Sequence, residues 1–168
     1  EKKINYTFKD KSYLELALTH KSLSSSHNER LEFLGDAILS SVITAEIFKQ
    51  FADQDEGDLS RLRAKLINKE KLIEVANKLG ISGHIKVSNS EKKSATQITD
   101  AILADTIEAI IGAIFSDSDW STCNETVISW YEPDFKDPKI TFTEKDPKTK
   151  LQEYLQAKKL PLPAYRVI

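Results

Sequence analysis

The sequence predicts a mostly α-helical chain, on three observations. Only five glycines and five prolines interrupt 168 residues, so long helices are permitted almost everywhere. Apolar residues recur at three- and four-residue spacing in several windows, while clean period-two alternation is scarce. The composition is globular, 40% hydrophobic and 30% charged, which excludes disorder as a global state.

The expected elements follow in order. Residues 12–20 read as a short helix capped by Asp10 or Ser12. A long helix covers about 28–50, with Ser26 and Glu29 at capping-box spacing or Asn28 as the cap. Another starts after Asp58. A further one follows Asn68 and stops at Gly80, where glycine can take the left-handed C-terminal conformation. Residues 81–97 are polar and carry no period. The stretch from Thr99 or Asp100 to Phe115 is the most apolar helix, followed by one from about Ser118 to Tyr131. Asp146-Pro147 reads as N-cap and first helical residue of a helix reaching about Lys159. Leu160-Pro161-Leu162-Pro163 breaks that helix, and 164–168 could begin a strand.

Charge marks a boundary along the chain. Residues 136–168 carry eight Lys/Arg against four Asp/Glu, a net of +4 within a total of −2, which leaves −6 for residues 1–135. Pro133, Pro138 and Pro147 punctuate the transition, so the expected organisation is a domain over 1–132, a linker at 133–145 and a basic segment over 146–168. The near-zero net charge by itself argues against a nucleic-acid binder, but its distribution argues for one. No apolar run approaches the ~18 residues needed to span a bilayer. With no signal-peptide core and a single cysteine, Cys123, the expectation is a soluble, cytoplasmic protein without internal disulfides. The absence of methionine leads to the further expectation that the chain is part of a longer product.

Acidic residues inside apolar helices carry the chemical signal. At 100° per residue, Glu29, Glu32 and Asp36 fall within about 60° of one another, away from Leu31, Leu34, Ile38 and Val42. The same arithmetic aligns Ala101, Asp105, Glu108 and Gly112. Glycine inside a helix costs ~1 kcal/mol relative to alanine, so Gly35 and Gly112 mark places where another backbone or a ligand comes close. If the two stripes face each other, four carboxylates share a pocket in which like charges require a cation. Neither helix supplies one, since 99–115 lacks Lys and Arg and Arg30 lies about 160° from Glu32. Oxygen-only ligands select Mg²⁺ or Mn²⁺ before zinc, and such ions serve phosphoester hydrolysis. A di-iron bundle would show Glu-x-x-His motifs, and no histidine here has Glu three residues before it. Spacing alone leaves open a helical nucleotide pyrophosphohydrolase, or a solvated face of no chemical consequence.

The segment His27-Asn28-Glu29-Arg30-Leu31-Glu32-Phe33-Leu34-Gly35-Asp36-Ala37-Ile38-Leu39 resembles the signature motif of the ribonuclease III family. The resemblance extends to Ala17–Ser22, to Glu56-Gly57-Asp58-Leu59-Ser60-Arg61-Leu62-Arg63-Ala64 and to Ile102–Gly112. Asp146–Gln156 is similar to the opening helix of the double-stranded-RNA-binding domain that follows the catalytic domain in bacterial members. The resemblance implies an all-α endonuclease domain followed by the first helix of an incomplete α+β RNA-binding domain. It implies a homodimer that cuts double-stranded RNA, including ribosomal and messenger RNA precursors, to 5′-phosphate and 3′-hydroxyl ends with short 3′ overhangs. Carried over, the metal ligands are Glu32, Asp36, Asp105 and Glu108, with Asp36 and Glu108 catalytic and Mg²⁺ as cofactor, Mn²⁺ substituting. Glu29 and Glu56 become secondary acidic positions, and Phe33 the aromatic residue packing into the partner subunit. The family's glycine pair and basic residues before the second acidic helix are replaced here by Ser94–Asp100, a departure in a loop expected to contact RNA backbone. A catalytically inactive RNA-binding scaffold is the alternative, though a dead relative should have lost one of the four acids.

Overall fold

The computed structural model describes residues 1–88, 92–94, 97–136, 147–161 and 163. Its helices are α1 (Lys11–Ala17), α2 (Glu29–Gln50), α3 (Glu56–Ile67), α4 (Lys69–Leu79), α5 (Asp100–Asp117), α6 (Trp120–Lys136) and α7 (Pro147–Ala157). A 3₁₀ turn at Ser82–His84 and a small antiparallel pair, β1 (Lys92–Ser94) and β2 (Gln97–Ile98), occupy the polar stretch between α4 and α5.

Capping explains most of the boundaries. Asp10 accepts the Ser12 amide at the start of α1, Asn68 the Lys71 amide at α4, and Thr99 the Ile102 amide at α5. Gly80 ends α4 in the left-handed conformation, at φ 61°. Three boundaries differ clearly from the sequence reading, and one cap is made by backbone alone. Helix α1 stops at Ala17 because the next residues turn to another segment: the His20 amide donates to the Lys86 carbonyl (3.0 Å) and the Lys86 amide to that of Leu18 (2.8 Å). Helix α3 begins at Glu56, before Asp58, because Asp55 caps it by accepting the Asp58 amide, while the Asp58 carboxylate binds Arg61. Asn28 holds the N-cap position of α2, one of the two options read from the sequence, its carbonyl accepting the Leu31 and Glu32 amides while its side chain makes no cap bond. Helix α6 runs through Pro133 to Lys136 and so covers the first four positions of the expected linker. The remainder of that linker and the expected strand at 164–168 lie outside the described residues.

Helices α2 and α5 form the centre, and two glycines set how closely they pass. A Cβ on Gly35 would lie 1.7 Å from the Glu108 carbonyl oxygen, and one on Gly112 2.2 Å from the Leu31 carbonyl oxygen. Residue 31 thus meets 112 and residue 35 meets 108, so the two helices run antiparallel with backbones in contact. Eleven of the eighteen residues of α5 are buried, including Ile107, Ile110, Ile111 and Ile114. Helices α1, α4 and α6 pack around α5, and α3 packs against α2. The N-terminal segment is tied down by polar bonds: Trp130 Nε1 donates to the Ile4 carbonyl (2.9 Å), and Asp117 accepts from the Tyr6 hydroxyl (2.6 Å) and the Lys9 and Asp10 amides. None of the α7 side chains described is buried.

Candidate metal centre

The glycine contact brings the acidic stripes together. On α5, Asp105 and Glu108 are one turn apart; on α2, Glu32 lies one turn before the Gly35 crossing point. One carboxylate oxygen from each of Glu32, Asp105 and Glu108 lies within 4.8 Å of the other two, and all three residues are half-buried. No hydrogen bond reaches the Glu108 side chain among the described residues, and the three acids face one another.

Electrostatics record the strain of that arrangement. Burial, and then the charges of Asp36, Glu32 and Asp105, push the Glu108 carboxyl up to about 7. Burial and the charges of Asp105 and Glu29 raise Glu32, and burial raises Asp105. Two cations from other elements counter this in part. Lys21, in the loop after α1, binds Glu29 at 2.7 Å and holds its carboxyl below the usual range. Lys69, at the start of α4, is the strongest charge lowering Asp105. A hard divalent cation fits this donor set: the oxygens of one Mg²⁺ shell lie roughly 3–4 Å apart, the donors are all oxygen, and a cation relieves the repulsion that, after burial, raises Glu32 and Glu108.

Comparison with known proteins decides the family. Residues 10–135 match the family model described as Ribonuclease-III-like. The chain belongs to the ribonuclease III family. It is 48% identical over 167 residues to Ribonuclease 3 of Aliivibrio fischeri, an alignment covering 99% of this chain and 75% of that protein. Against Ribonuclease 3 of Vibrio cholerae it is 47% identical over 165 residues, covering 98% and 73%. Its fold matches the nuclease domain of ribonuclease III from Campylobacter jejuni with a TM-score of 0.76 at 42% identity, over 80% of this chain and 95% of that one. That domain is described for structural flexibility in a region involved in dimer formation. Dicer from Pichia stipitis matches at a TM-score of 0.64 and 26% identity, over 90% of this chain and 68% of that one. With membership stands the reading of the chain as an endoribonuclease.

Within this ribonuclease III fold the residues singled out from sequence are treated unequally. Three of the four expected ligands converge, while Asp36, one turn past Glu32, is exposed and outside the trio, though its charge still reaches Glu108. Glu29 is exposed and held by Lys21. Glu56 is not beside the trio in this chain: it opens α3, accepts from the Ser60 hydroxyl (2.8 Å) and lines a groove with Thr44, Phe48 and Arg63. Thr44 lies twelve residues beyond Glu32, ~18 Å along α2, so within one chain Glu56 lies apart from the trio. Phe33 is 82% exposed and takes no part in the core. His20 is buried, its Nδ1 accepting the Ser22 amide (3.2 Å), a structural role. Lys21 and Lys69 are cations beside the acids that sequence reasoning missed. Helical spacing shows that the two acidic helices lack a counter-charge of their own, but both lysines come from neighbouring elements that spacing does not reach.

Proposed function

We propose that this chain hydrolyses phosphodiester bonds of double-stranded RNA in a Mg²⁺-dependent reaction, giving 5′-phosphate and 3′-hydroxyl ends with short 3′ overhangs. The observation that carries the reading is the half-buried trio of Glu32, Asp105 and Glu108, with Asp36 at its edge, in a ribonuclease III fold. Glu32, Asp105 and Glu108 would hold a divalent cation, Mg²⁺ or Mn²⁺, which when bound would supply charge neutralisation at the scissile phosphate and a more acidic water. The chain's own residues prepare the site. Asp105 and Glu108 are fixed by a helix buried on most of its surface, and Glu32 by the glycine contact with it. Glu108, raised to about 7, releases its proton as the site is loaded, and Lys21 keeps Glu29 paired and outside the trio.

The working unit is a homodimer, and Phe33, a large apolar side chain exposed beside the acids, is the contact it offers. Helix α7 opens a double-stranded-RNA-binding domain joined to the catalytic domain by the residues after Lys136, and its basic segment adds affinity for phosphates. A-form duplexes are recognised by shape, 2′-hydroxyls and phosphates, so little sequence preference is expected. Ribosomal and messenger RNA precursors with long stems, in the cytoplasm, are the natural targets. Incubation of the purified chain with a plain RNA duplex and with its separated strands, each with and without Mg²⁺, tests the reading. Cleavage of the duplex alone, with Mg²⁺ alone, is expected; binding without cleavage would make the chain a scaffold, and cleavage in chelator would refute the metal site.

A further inference from the structure

The core behind the acids holds a polar group that the proposed reaction leaves unused. Tyr131, on α6, is fully buried, and its hydroxyl has no hydrogen-bond partner. A buried hydroxyl without a partner is costly, and such groups call for an explanation. The packing of α6 on α5 is pinned where Cys123 Sγ approaches the Ile111 carbonyl at 3.8 Å. Tyr131 lies eight residues, ~12 Å, further along α6. A helical side chain leans toward its own N-terminus, which carries the phenol back toward the level of Glu108.

Burial raises the Tyr131 phenol, and the charges of three carboxylates, Asp134, Glu108 and Glu74, add to the rise. Two are already served. Lys71, whose ammonium lies 6.0 Å from the centre of the Tyr131 ring, binds Asp134 at 2.5 Å and Glu74 at 2.9 Å. Glu108 has no hydrogen bond at all among the described residues. A donor without an acceptor and an acceptor without a donor thus lie in the same part of the interior.

We propose that Tyr131 is a positioning residue for Glu108, its hydroxyl donating to the carboxylate through one bridging water. The contact fixes the carboxylate for metal binding, as hydrogen bonds from an outer ring of residues fix metal-ligating side chains elsewhere. It rests on the reading of Glu108 as a metal ligand.

Tyr131→Phe keeps the ring and removes only the hydroxyl. The test measures the Mn²⁺ and Mg²⁺ concentrations that half-saturate thermal stabilisation of wild type, Tyr131→Phe, Glu108→Gln and Val127→Ala, the last a buried control one turn earlier on α6. For Tyr131→Phe the half-saturating concentration should rise about tenfold, the low end of the range for such residues, while the metal-free Tm stays within ~2 °C of wild type or rises. Val127→Ala should lower the metal-free Tm and leave the metal midpoint unchanged. An unchanged midpoint in Tyr131→Phe, with stabilisation lost in Glu108→Gln, overturns the role of Tyr131 alone. Metal stabilisation retained in Glu108→Gln overturns the reading of Glu108 as ligand and this proposal with it.

Discussion

Helix α5, the most apolar helix of the chain, holds Asp105 and Glu108 in its apolar middle, whereas α7 leaves Leu151 and Tyr154 exposed, with Leu160 exposed just beyond it. Both depart from ordinary burial, in opposite senses. In α5 the surrounding core takes the acids out of water, and burial raises the proton affinity of both, with neighbouring acids adding to it at Glu108. In α7 nothing described covers the apolar positions, and no described side chain of the helix is buried in the core. Polar groups held at a cost inside the fold point to chemistry. Apolar groups left outside offer a surface for further contact.

The sharpest way to break the comparison is to separate α5 from α2. Gly35→Ala places a methyl carbon against the Glu108 carbonyl. It is expected to cost about 3 kcal/mol through overpacking, read from the urea midpoint, and to disturb the trio. Gly83→Ala, where a Cβ would meet nothing within 4 Å, should change stability by less than ~0.5 kcal/mol. Ending the chain at Lys136 tests the other side. The Tm should move by less than ~2 °C, because the described side chains of α7 are not buried. Affinity for duplex RNA should fall roughly tenfold or more, and its salt dependence should become shallower, by about one unit of slope for each phosphate that is no longer neutralised.

The pH dependence of metal-free stability sharpens the picture of α5. Glu108 is raised from 4.5 to about 7 in the fold, so between those values the folded state holds a proton that the unfolded chain has released. Stability therefore falls as pH rises through that window. Thermal unfolding in EDTA should show a loss of Tm from pH 4.5 to 7 that is smaller in Glu108→Gln, and Mg²⁺ should remove much of the difference. The smallest effect concerns the start of the helix. Thr99→Ala removes the cap of α5 and is expected to cost ~1 kcal/mol in the urea midpoint.

Much of this site is legible in the sequence, because an α-helix converts spacing into direction. Glu32, Asp105 and Glu108 align by 100° arithmetic, and Gly35 and Gly112 stand out as costly residues whose value lies in a close approach, which the backbone contact explains. Relations between elements distant in sequence are not legible that way. Lys21 and Lys69 reach the acids from a loop and from another helix, and the orphan hydroxyl of Tyr131 looks like any core aromatic until its neighbours are known. Two boundaries mislead because one residue type serves two ends. Asp58 resembles a cap yet sits inside the first turn that Asp55 caps, and Pro133 resembles a stop yet lies within α6. The β1–β2 pair is hidden because Lys92-Lys93-Ser94 shows no apolar alternation.

The most direct test of the central claim, that the half-buried acids are the metal centre of a duplex-RNA endonuclease, is Mg²⁺-dependent cleavage of a plain RNA duplex by Glu108→Gln beside wild type. The substitution keeps the shape and removes the charge. Folding and duplex binding should be unchanged and cleavage reduced by about 10³-fold or more, the scale seen when a group that stabilises transition-state charge is lost. Cleavage by Glu108→Gln at the wild-type rate would contradict the claim.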